Sequence, residues 1–416
     1  MNIKKILVNS FKAGLEAVKP ENIIKNKLPA PPKGRTFVIG AGKAAASMAK
    51  AIEKNWPKNS PLTGSVITRY KHSVKTKKIK VFESGHPIPD TAGMKAANNF
   101  ISNISNLDHN DLLLCLISGG GSSLMSVPQD GLTMIDLRNV TKNLLNSGAE
   151  ISEMNTVRKH LSRIHGGKVP MYTKAKIISL IISDVTGDKI SDIASGPCCP
   201  DPTTFKNAFD ILQKYEIKNK KINNFLKKGI NGEISENPKK NNPIFNNTKN
   251  ILLASGKDML KKSESFLKAN KIQTLNLGDN IKGESRKVAI QHSKKILNSN
   301  KSKFAIISGG ETTVTVSGHG KGGRNSEYAL SLFNEVRNKK SIAVLSCDTD
   351  GIDGSENNAG VYFDNKIIRK AEKLSLNSEL FLKKNDSYTF FKKLNCLIHT
   401  GPTLTNVNDY RVVMKI

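Results

Sequence analysis

The feature that most constrains the fold is an apolar segment that runs directly into a glycine cluster. Residues 112–117 read Leu-Leu-Leu-Cys-Leu-Ile, and residues 118–123 read Ser-Gly-Gly-Gly-Ser-Ser. An unbroken apolar run that ends at glycines is typical of a strand buried on both faces of a sheet. The glycines allow a tight turn that presents N–H groups, and a serine can cap the helix that follows. The junction therefore predicts an anion-binding turn. A turn without a ligand is the alternative, but three glycines exceed what a turn needs.

The same pattern occurs at two other places in the chain. Residues 305–307 lead into Ser-Gly-Gly-Glu-Thr-Thr at 308–313, and residues 35–39 lead into Gly-Ala-Gly-Lys-Ala-Ala at 40–45. Glycine-marked strand ends of this kind indicate an open α/β protein that binds phosphate-bearing ligands at the carboxyl ends of its strands. The candidate cofactor-binding residues in these turns are Gly40, Gly42, Ser118, Gly119, Gly120, Gly121, Ser122, Ser123, Gly309, Gly310 and Glu311.

The length and the order of elements predict two α/β domains. A chain of 416 residues is long for one hydrophobic core. Strand and helix patterns alternate in the first half, which favours a mostly parallel sheet covered on both faces. A stretch rich in Lys and Asn at 217–248 is the predicted linker. The predicted domains are therefore 1–240 and a smaller 249–416, with the active site in the cleft between them.

Composition restricts the classes of partner. The formal net charge is +30, from 65 Lys and Arg against 35 Asp and Glu, which would suit nucleic-acid binding. However, the lysines are spread along the chain, and one Trp and seven Tyr offer little stacking surface. We therefore expect no nucleic-acid partner, and a basic surface that attracts small anionic substrates. No apolar run approaches the length of a membrane span, and the five cysteines have no disulfide or zinc spacing. A cytoplasmic protein without a membrane partner is expected.

The first glycine turn carries a candidate catalytic lysine. Residues 40–45 match the G-x-G-x-x-A dinucleotide pattern, but the next strand ends in Arg69 rather than in the acidic residue that holds an NAD ribose. Arg69 leaves NADP open. Lys43 would lie at a helix start, where an ammonium is favourable only beside a bound anion. A solvated surface lysine is the alternative reading.

Acidic and basic candidates follow in the loops after the other strands. Asp184 and Asp188 come after the apolar run 177–182, where carboxylates suit Mg²⁺ coordination or general-base catalysis. Asn155 and Arg158 lie early in a predicted helix. Arg158 could clamp a phosphate or a carboxylate, although an exposed basic helix explains it nearly as well.

The second half offers a further arginine and a further carboxylate cluster. Arg324 follows the glycines of 320–323 at a predicted helix start, where a guanidinium makes a good fork for an anion. Asp348 belongs to the run Asp-Thr-Asp-Gly-Ile-Asp-Gly at 348–354. This run lacks the glutamate of a calcium loop and follows a strand, so a nucleotide or Mg²⁺ site fits better.

Taken together and in this order, these segments resemble the class II glycerate kinase (glycerate 2-kinase) family, whose members also carry the name hydroxypyruvate reductase. The resemblance covers nearly the whole chain. It rests on the residues at 38–44, 84–90, 118–123, 183–188, 194–197, 322–327, 348–354, 385–388, 401–403 and 405–409.

The resemblance implies a fold and an activity. The fold is a Rossmann-like, mostly parallel N-terminal domain and a smaller C-terminal α/β domain, with the active site in the cleft between them. The activity is ATP-dependent phosphorylation of D-glycerate at its 2-hydroxyl, with Mg²⁺, to give 2-phosphoglycerate and ADP. An NAD(P)H-dependent hydroxypyruvate reductase is the alternative. A homodimer is left open.

The resemblance also implies roles for individual residues. Lys43 and Arg324 correspond to the functional lysine and arginine of the family, and we expect them to stabilise charge on the transferred phosphoryl group. Asp188 is assigned to the hydroxyl proton and Asp184 to Mg²⁺, although the sequence fits the reverse assignment as well. One residue departs from the family pattern: Leu404 stands where a glycine is usual. A leucine there disfavours a positive φ, and the preference for substrate depends on this region.

Overall fold

The computed structural model describes residues 2–339 and 341–416. Its strands are β1 Thr36–Ala41, β2 Leu62–Arg69, β3 Ile79–Ser84, β4 Leu112–Ile117, β5 Lys176–Ile182, β6 Thr248–Ala254, β7 Gln273–Asn276, β8 Lys282–Glu284, β9 Phe304–Ser308, β10 Glu311–Thr313, β11 Ile342–Asp348, β12 Gly360–Asp364, β13 Leu397–Ile398 and β14 Asp409–Lys415. Its α-helices are α1 Ile3–Val18, α2 Pro20–Ile23, α3 Ala45–Asn55, α4 Thr91–Ile104, α5 Gly121–Leu124, α6 Met134–Asn146, α7 Ile151–Leu161, α8 Phe205–Lys214, α9 Lys220–Ile230, α10 Gly256–Ala269, α11 Ser285–Leu297, α12 Arg324–Val336, α13 Asn365–Lys373, α14 Ser378–Lys383 and α15 Ser387–Lys393.

The chain forms two compact units that are built on different sheets. The first, here the parallel-sheet unit, consists of Ile23–Ser183 and Asp188–Leu253. The second, the mixed-sheet unit, consists of Met1–Asn22, Asp184–Gly187 and Ala254–Ile416. No helix among the described residues combines the length and the apolar character that crossing a membrane requires.

The parallel-sheet unit has the strand order β3-β2-β1-β4-β5-β6. The β3/β2, β2/β1, β1/β4 and β4/β5 pairs are all parallel. Every residue of β1 and β4 is buried, which explains the unbroken apolar run at 112–117 and confirms the strand predicted there. After β1 the next two strands, β2 and β3, extend the sheet on one side, and after β4 the next two, β5 and β6, extend it on the other side. At such a reversal of strand order, a crevice opens between the carboxyl ends of the two central strands, β1 and β4. Ala41 and Ile117 are register partners, so the two glycine turns start side by side.

The mixed-sheet unit has the strand order β13-β12-β11-β14-β9-β7. The C-terminal strand β14 lies between β11 and β9 and is antiparallel to both, whereas β7 pairs in parallel with β9. A separate parallel pair joins β10 to β8. The α/β class predicted for this half is confirmed, with a sheet that is largely antiparallel.

The unit boundaries differ from the predicted domains 1–240 and 249–416. Helix α1 belongs to the mixed-sheet unit, where Ser10 Oγ lies 2.9 Å from the Tyr410 hydroxyl. Gly14 allows α1 to pack closely on α10, because a Cβ at Gly14 would lie 2.4 Å from Ser263 Oγ. Strand β6 extends the first sheet, which moves the boundary to residue 253. A local sequence pattern cannot show that a helix near the start of the chain packs against elements near its end.

The segment 217–248, predicted as a linker, lies inside the parallel-sheet unit and contains a helix. Helix α9 occupies Lys220–Ile230 and buries Ile222, Phe225 and Leu226 on one face. These three residues have the i, i+3, i+4 spacing of an amphipathic helix, but the surrounding lysines and asparagines obscured it.

Candidate active site

One candidate site, in the parallel-sheet unit, is the pair of glycine turns after β1 and β4, which are joined by hydrogen bonds. The Lys43 N–H donates to Gly119 O at 2.8 Å, and the Ala44 N–H donates to Ser118 Oγ at 3.0 Å. Gly42 must be a glycine, because its φ is +141° and a Cβ would lie 2.1 Å from Ser118 Oγ. The structure therefore brings together Gly40, Gly42, Lys43 and the turn at 118–123.

Only some N–H groups of the second turn remain available for a ligand. The Gly121 N–H donates to Ser118 O at 3.3 Å. Within residues 2–339 and 341–416, the N–H groups of Gly119 and Gly120 have no hydrogen-bond acceptor. Gly120 has a φ of +83°, the left-handed conformation that orients successive N–H groups to the same side. Two adjacent unpaired N–H groups beside a half-buried lysine form a favourable position for an anion.

A strained loop closes one side of this turn. Ala194, Ser195 and Gly196 have consecutive positive φ values of 50°, 55° and 56°. Ser195 Oγ lies 2.8 Å from Ser122 Oγ and 3.1 Å from Asn155 Oδ1. The predicted residue Asn155 thus holds Ser195 against the glycine turn. Non-glycine residues in this conformation persist only where their surroundings impose it, which is common at functional sites. No sequence signal pointed to the backbone conformation of Ser195.

Behind the turn lies a set of buried cations that sequence reasoning missed. Lys159 Nζ lies 3.4 Å from carboxylates of both Asp192 and Asp201. Lys168 Nζ donates to Lys159 O at 2.8 Å and to His165 O at 3.3 Å. Burial lowers the pKa of Lys168 to about 7, although the charge of Asp201 opposes that shift. Arg158, which the sequence did predict, lines a small cavity together with His165 in the same unit.

A second candidate site lies in the mixed-sheet unit and centres on Arg324. Its Nε donates to Asp409 at 2.8 Å, and its two terminal nitrogens donate to Glu311 and Asp348 at 2.9 Å each. Burial alone would lower the pKa of Arg324, but the charges of Asp409, Asp348 and Glu311 raise it well above its usual value. The predicted residues Glu311, Asp348 and Arg324 therefore do meet. Asp409 completes the cluster and was not among the predicted site residues.

The helix start at Arg324 is capped by the protein itself. Asp353 accepts hydrogen bonds from the N–H groups of Asn325 and Ser326 at 2.8 Å each. Since this buried carboxylate already satisfies the first turn of α12, an anion need not bind there. The turn at Gly309 and Gly310 is also engaged: Arg411 donates to Gly309 O at 3.0 Å, and the Asp409 N–H donates to Gly310 O at 3.2 Å.

A cavity of about 300 Å³ adjoins the Arg324 cluster. Arg324, Asp348 and the buried Glu327 contribute its charged groups, and glycines of the 320–323 segment form part of its wall. Burial raises the pKa of Glu327, although Arg286 opposes that shift with an ion pair of 2.5 Å. The cavity thus has both a cation and carboxyl groups at one end.

The two candidate aspartates after β5 fall in different units. In the mixed-sheet unit, Asp184 Oδ2 accepts from Asn406 Nδ2 at 3.0 Å, and its main-chain carbonyl accepts from Asn408. Asp188 belongs to the parallel-sheet unit and has a φ of +56°. Across the described part of the chain, no three His, Cys, Asp or Glu side chains are grouped as a metal site. Mg²⁺ commonly takes only one or two carboxylates, the rest of its shell being water and substrate phosphate, so a lone Asp184 still fits it.

Known proteins resemble the chain over its whole length. A family model described as "Domain of unknown function (DUF4147)" matches residues 6–227, and one described as "MOFRL family" matches residues 304–409. The chain is 38% identical to an Agrobacterium vitis protein named "Putative hydroxypyruvate reductase", over 100% of this chain and 95% of that protein. It is 37% identical to a glycerate 2-kinase of Pyrococcus horikoshii, over 96% of this chain and 92% of that protein.

A solved structure agrees with both the fold and the sequence matches. The crystal structure of a glycerate kinase from Thermotoga maritima superposes with a TM-score of 0.87 at 33% identity, and covers 100% of this chain and 99% of that one. The two family models match residues in both units, and the relatives are more than 30% identical over nearly their whole length. The chain belongs to the class II glycerate kinase (glycerate 2-kinase) family.

Proposed function

We propose that the protein transfers the γ-phosphoryl group of ATP to the 2-hydroxyl of D-glycerate, which gives 2-phosphoglycerate and ADP. The observation that carries this proposal is the glycine turn after β4, where two adjacent N–H groups lack an acceptor among the described residues. The turn lies at the strand-order reversal where α/β sheets bind phosphate-bearing ligands. Its residues Gly119–Gly121, with Gly40 and Gly42 beside them, would hold the ATP phosphates.

Phosphoryl transfer mainly requires positioning and charge stabilisation, and Lys43 is the residue we assign to the charge. Its N–H donates to Gly119 O, so its main chain is fixed beside the turn and its side chain starts there. Mg²⁺, when bound, would neutralise phosphate charge, and Asp184 would supply a carboxylate ligand to it. Asp188 would accept the proton of the 2-hydroxyl.

Arg324 has a more constrained role than its sequence position suggested. Three carboxylates already bind its guanidinium, so a direct contact with the phosphoryl group would require one of them to release it. We propose that Arg324 fixes the carboxylates of Asp348 and Glu311 before ATP binds, and that the adjoining cavity receives part of the nucleotide.

A reductase is the second candidate, since the Agrobacterium vitis relative bears that name and the strand order is that of dinucleotide-binding domains. Strand β2, however, ends at Arg69 and supplies no carboxylate for a nicotinamide ribose. A direct assay separates the two candidates. Purified protein, D-glycerate and MgATP are coupled to enolase without phosphoglycerate mutase, and NADPH oxidation by hydroxypyruvate is measured in parallel.

The expected result is an enolase signal without mutase and no NADPH oxidation. A signal that appears only after mutase is added would mean that the product is 3-phosphoglycerate, and NADPH oxidation alone would favour the reductase.

Lys43→Met should lower kcat by about 10²–10³-fold, as loss of a principal charge-stabilising group does. Lys50→Met, an exposed lysine on helix α3, is the matched control and should retain wild-type kcat. Equal kcat in both variants would exclude the role of Lys43. Size-exclusion chromatography tests whether the protein forms a homodimer, which the sequence leaves open.

A further inference from the structure

A small cavity in the parallel-sheet unit borders the helix that follows the glycine turn. Its volume is about 10 Å³, which suits the centre of roughly one water-sized group. Its polar lining comes from Ser123 of α5, Ser126, Arg158 of α7, Ser162 and His165. Ser123 belongs to the segment 118–123, so one residue of the predicted phosphate-binding turn lines this cavity.

His165 is buried in this cavity without a hydrogen-bond partner. Its side chain is 1% exposed, and within the part of the chain that the structure describes neither ring nitrogen is bonded. Burial, together with the charges of Lys168, Arg158 and Lys159, lowers the pKa of His165 to about 3, so the ring is neutral. A neutral imidazole has one N–H donor, and burying it unbonded is unfavourable. A ligand atom in the cavity would satisfy it.

Arg158 lines this cavity without a counter-charge among the described residues. Its neighbour Lys159 is paired with Asp192 and Asp201. Arg158, by contrast, has no hydrogen bond or ion pair to any described residue, and burial lowers its pKa to about 10. A half-buried guanidinium without a carboxylate partner is partly shielded from water and gains from pairing with a bound anion. The two unsatisfied groups, Arg158 and His165, line the same cavity.

We propose that Arg158 and His165 form the subsite for the carboxylate of the substrate. The guanidinium pairs with the carboxylate, and the imidazole N–H donates to one of its oxygens. The cavity has room for about one oxygen of that carboxylate. One guanidinium and a neutral imidazole match its single negative charge better than the two or more charges of a phosphate group. This inference rests on the proposed function, and it names the residues that would distinguish a hydroxy acid from an uncharged polyol.

The variants Arg158→Met and His165→Leu test the subsite. Arg158→Met retains the length of the side chain and removes its charge. His165→Leu removes two nitrogens that no described residue contacts, so the variant should be at least as heat-stable as the wild type. The matched control is Arg138→Met, an exposed arginine on the neighbouring helix α6. We expect KM for D-glycerate to rise about 100-fold in Arg158→Met and about 10-fold in His165→Leu, with KM for ATP within 2-fold of the wild type.

Three outcomes would overturn the proposal. A raised KM for ATP with an unchanged KM for D-glycerate in Arg158→Met would assign the arginine to nucleotide phosphate. An unchanged KM for D-glycerate in both variants would exclude a carboxylate subsite. Tight binding of glycerol to the wild-type protein would show that the carboxylate is not needed.

Isothermal titration calorimetry without ATP measures binding to the subsite independently of phosphoryl transfer. D-glycerate and glycolate are titrated into the wild type and into each variant without ATP. If no phosphorylation of D-glycerate is found, the proposed function fails, but the subsite is supported when both acids bind the wild type and not Arg158→Met. Absence of binding of both acids to the wild type would refute the subsite itself.

Discussion

The conformation of Gly120 provides the sharpest test of the phosphate-binding turn. Its φ is +83°, and a Cβ at this position would lie 2.9 Å from Cδ2 and 3.0 Å from Nε2 of the His86 ring. Gly131 has a nearly identical φ of +84°, but a Cβ there would meet no atom within 4 Å. Alanine at either site incurs the left-handed penalty of roughly 1–2 kcal/mol, partly offset by about 0.4–1 kcal/mol because the unfolded chain becomes less flexible.

The two variants should therefore differ in their free energy of unfolding only by the steric clash with His86 at Gly120. We expect Gly131→Ala to lower the free energy of unfolding by about 0.5–1 kcal/mol and to leave kcat unchanged. Gly120→Ala should cost a further ~1–3 kcal/mol, since His86 or the turn must move. Because the turn would then lose the alignment of its N–H groups, KM for ATP should also rise.

Urea denaturation and the enolase-coupled assay measure the two effects. If Gly120→Ala and Gly131→Ala are equally stable, the close approach of His86 is refuted. If Gly120→Ala is less stable but binds ATP as well as the wild type does, the turn is structural and the phosphates bind elsewhere.

The remaining predictions concern strain, buried charge and the arginine cluster. Leu404 has a φ of +62°, so Leu404→Gly should be about 1 kcal/mol more stable to urea than Leu404→Ala; equal stabilities would contradict a left-handed residue. Lys168 has a pKa lowered to about 7 by burial, so between that value and its usual 10.5 the unfolded chain binds more protons than the folded one. The melting temperature of the wild type should therefore rise from pH 7 to pH 9 more steeply than that of Lys168→Met, and parallel profiles would contradict this. Arg324→Lys should lower the melting temperature, because one ammonium cannot reproduce three directed bonds to carboxylates; Arg337→Lys, whose arginine has one exposed partner, is the control and should be unchanged.

Local sequence patterns were sufficient to predict the features that depend on residues close together in the chain. The apolar run at 112–117 could only be a strand buried on both faces, and the glycines after it had to turn. The structure adds that the turns at 40–45 and 118–123 lie side by side, because β1 and β4 are adjacent parallel strands. Lys43 and Gly119 meet there, whereas Asp348 at the end of β11 meets Arg324 at the start of α12.

Other features depended on contacts that no local pattern contains. Helix α1 looks like the start of the first domain, yet its apolar face packs in the mixed-sheet unit, beside Tyr410 near the other end of the chain. His165 gave no sequence signal, because its significance lies in the lack of a partner, and that lack is visible only when its surroundings are known.

Arg324 illustrates how a correct residue can be given an incomplete role. A guanidinium after a glycine-rich segment at a helix start indicates an anion site, and the structure does place anions on it. Those anions are Glu311, Asp348 and Asp409, which lie 13, 24 and 85 residues away in the sequence. The helix start itself is satisfied by Asp353. Arg411 also pairs with Asp409, so the cluster holds three carboxylates against two guanidinium groups. In the proposed reaction, a divalent ion bound with ATP would reduce the repulsion between this excess negative charge and the nucleotide.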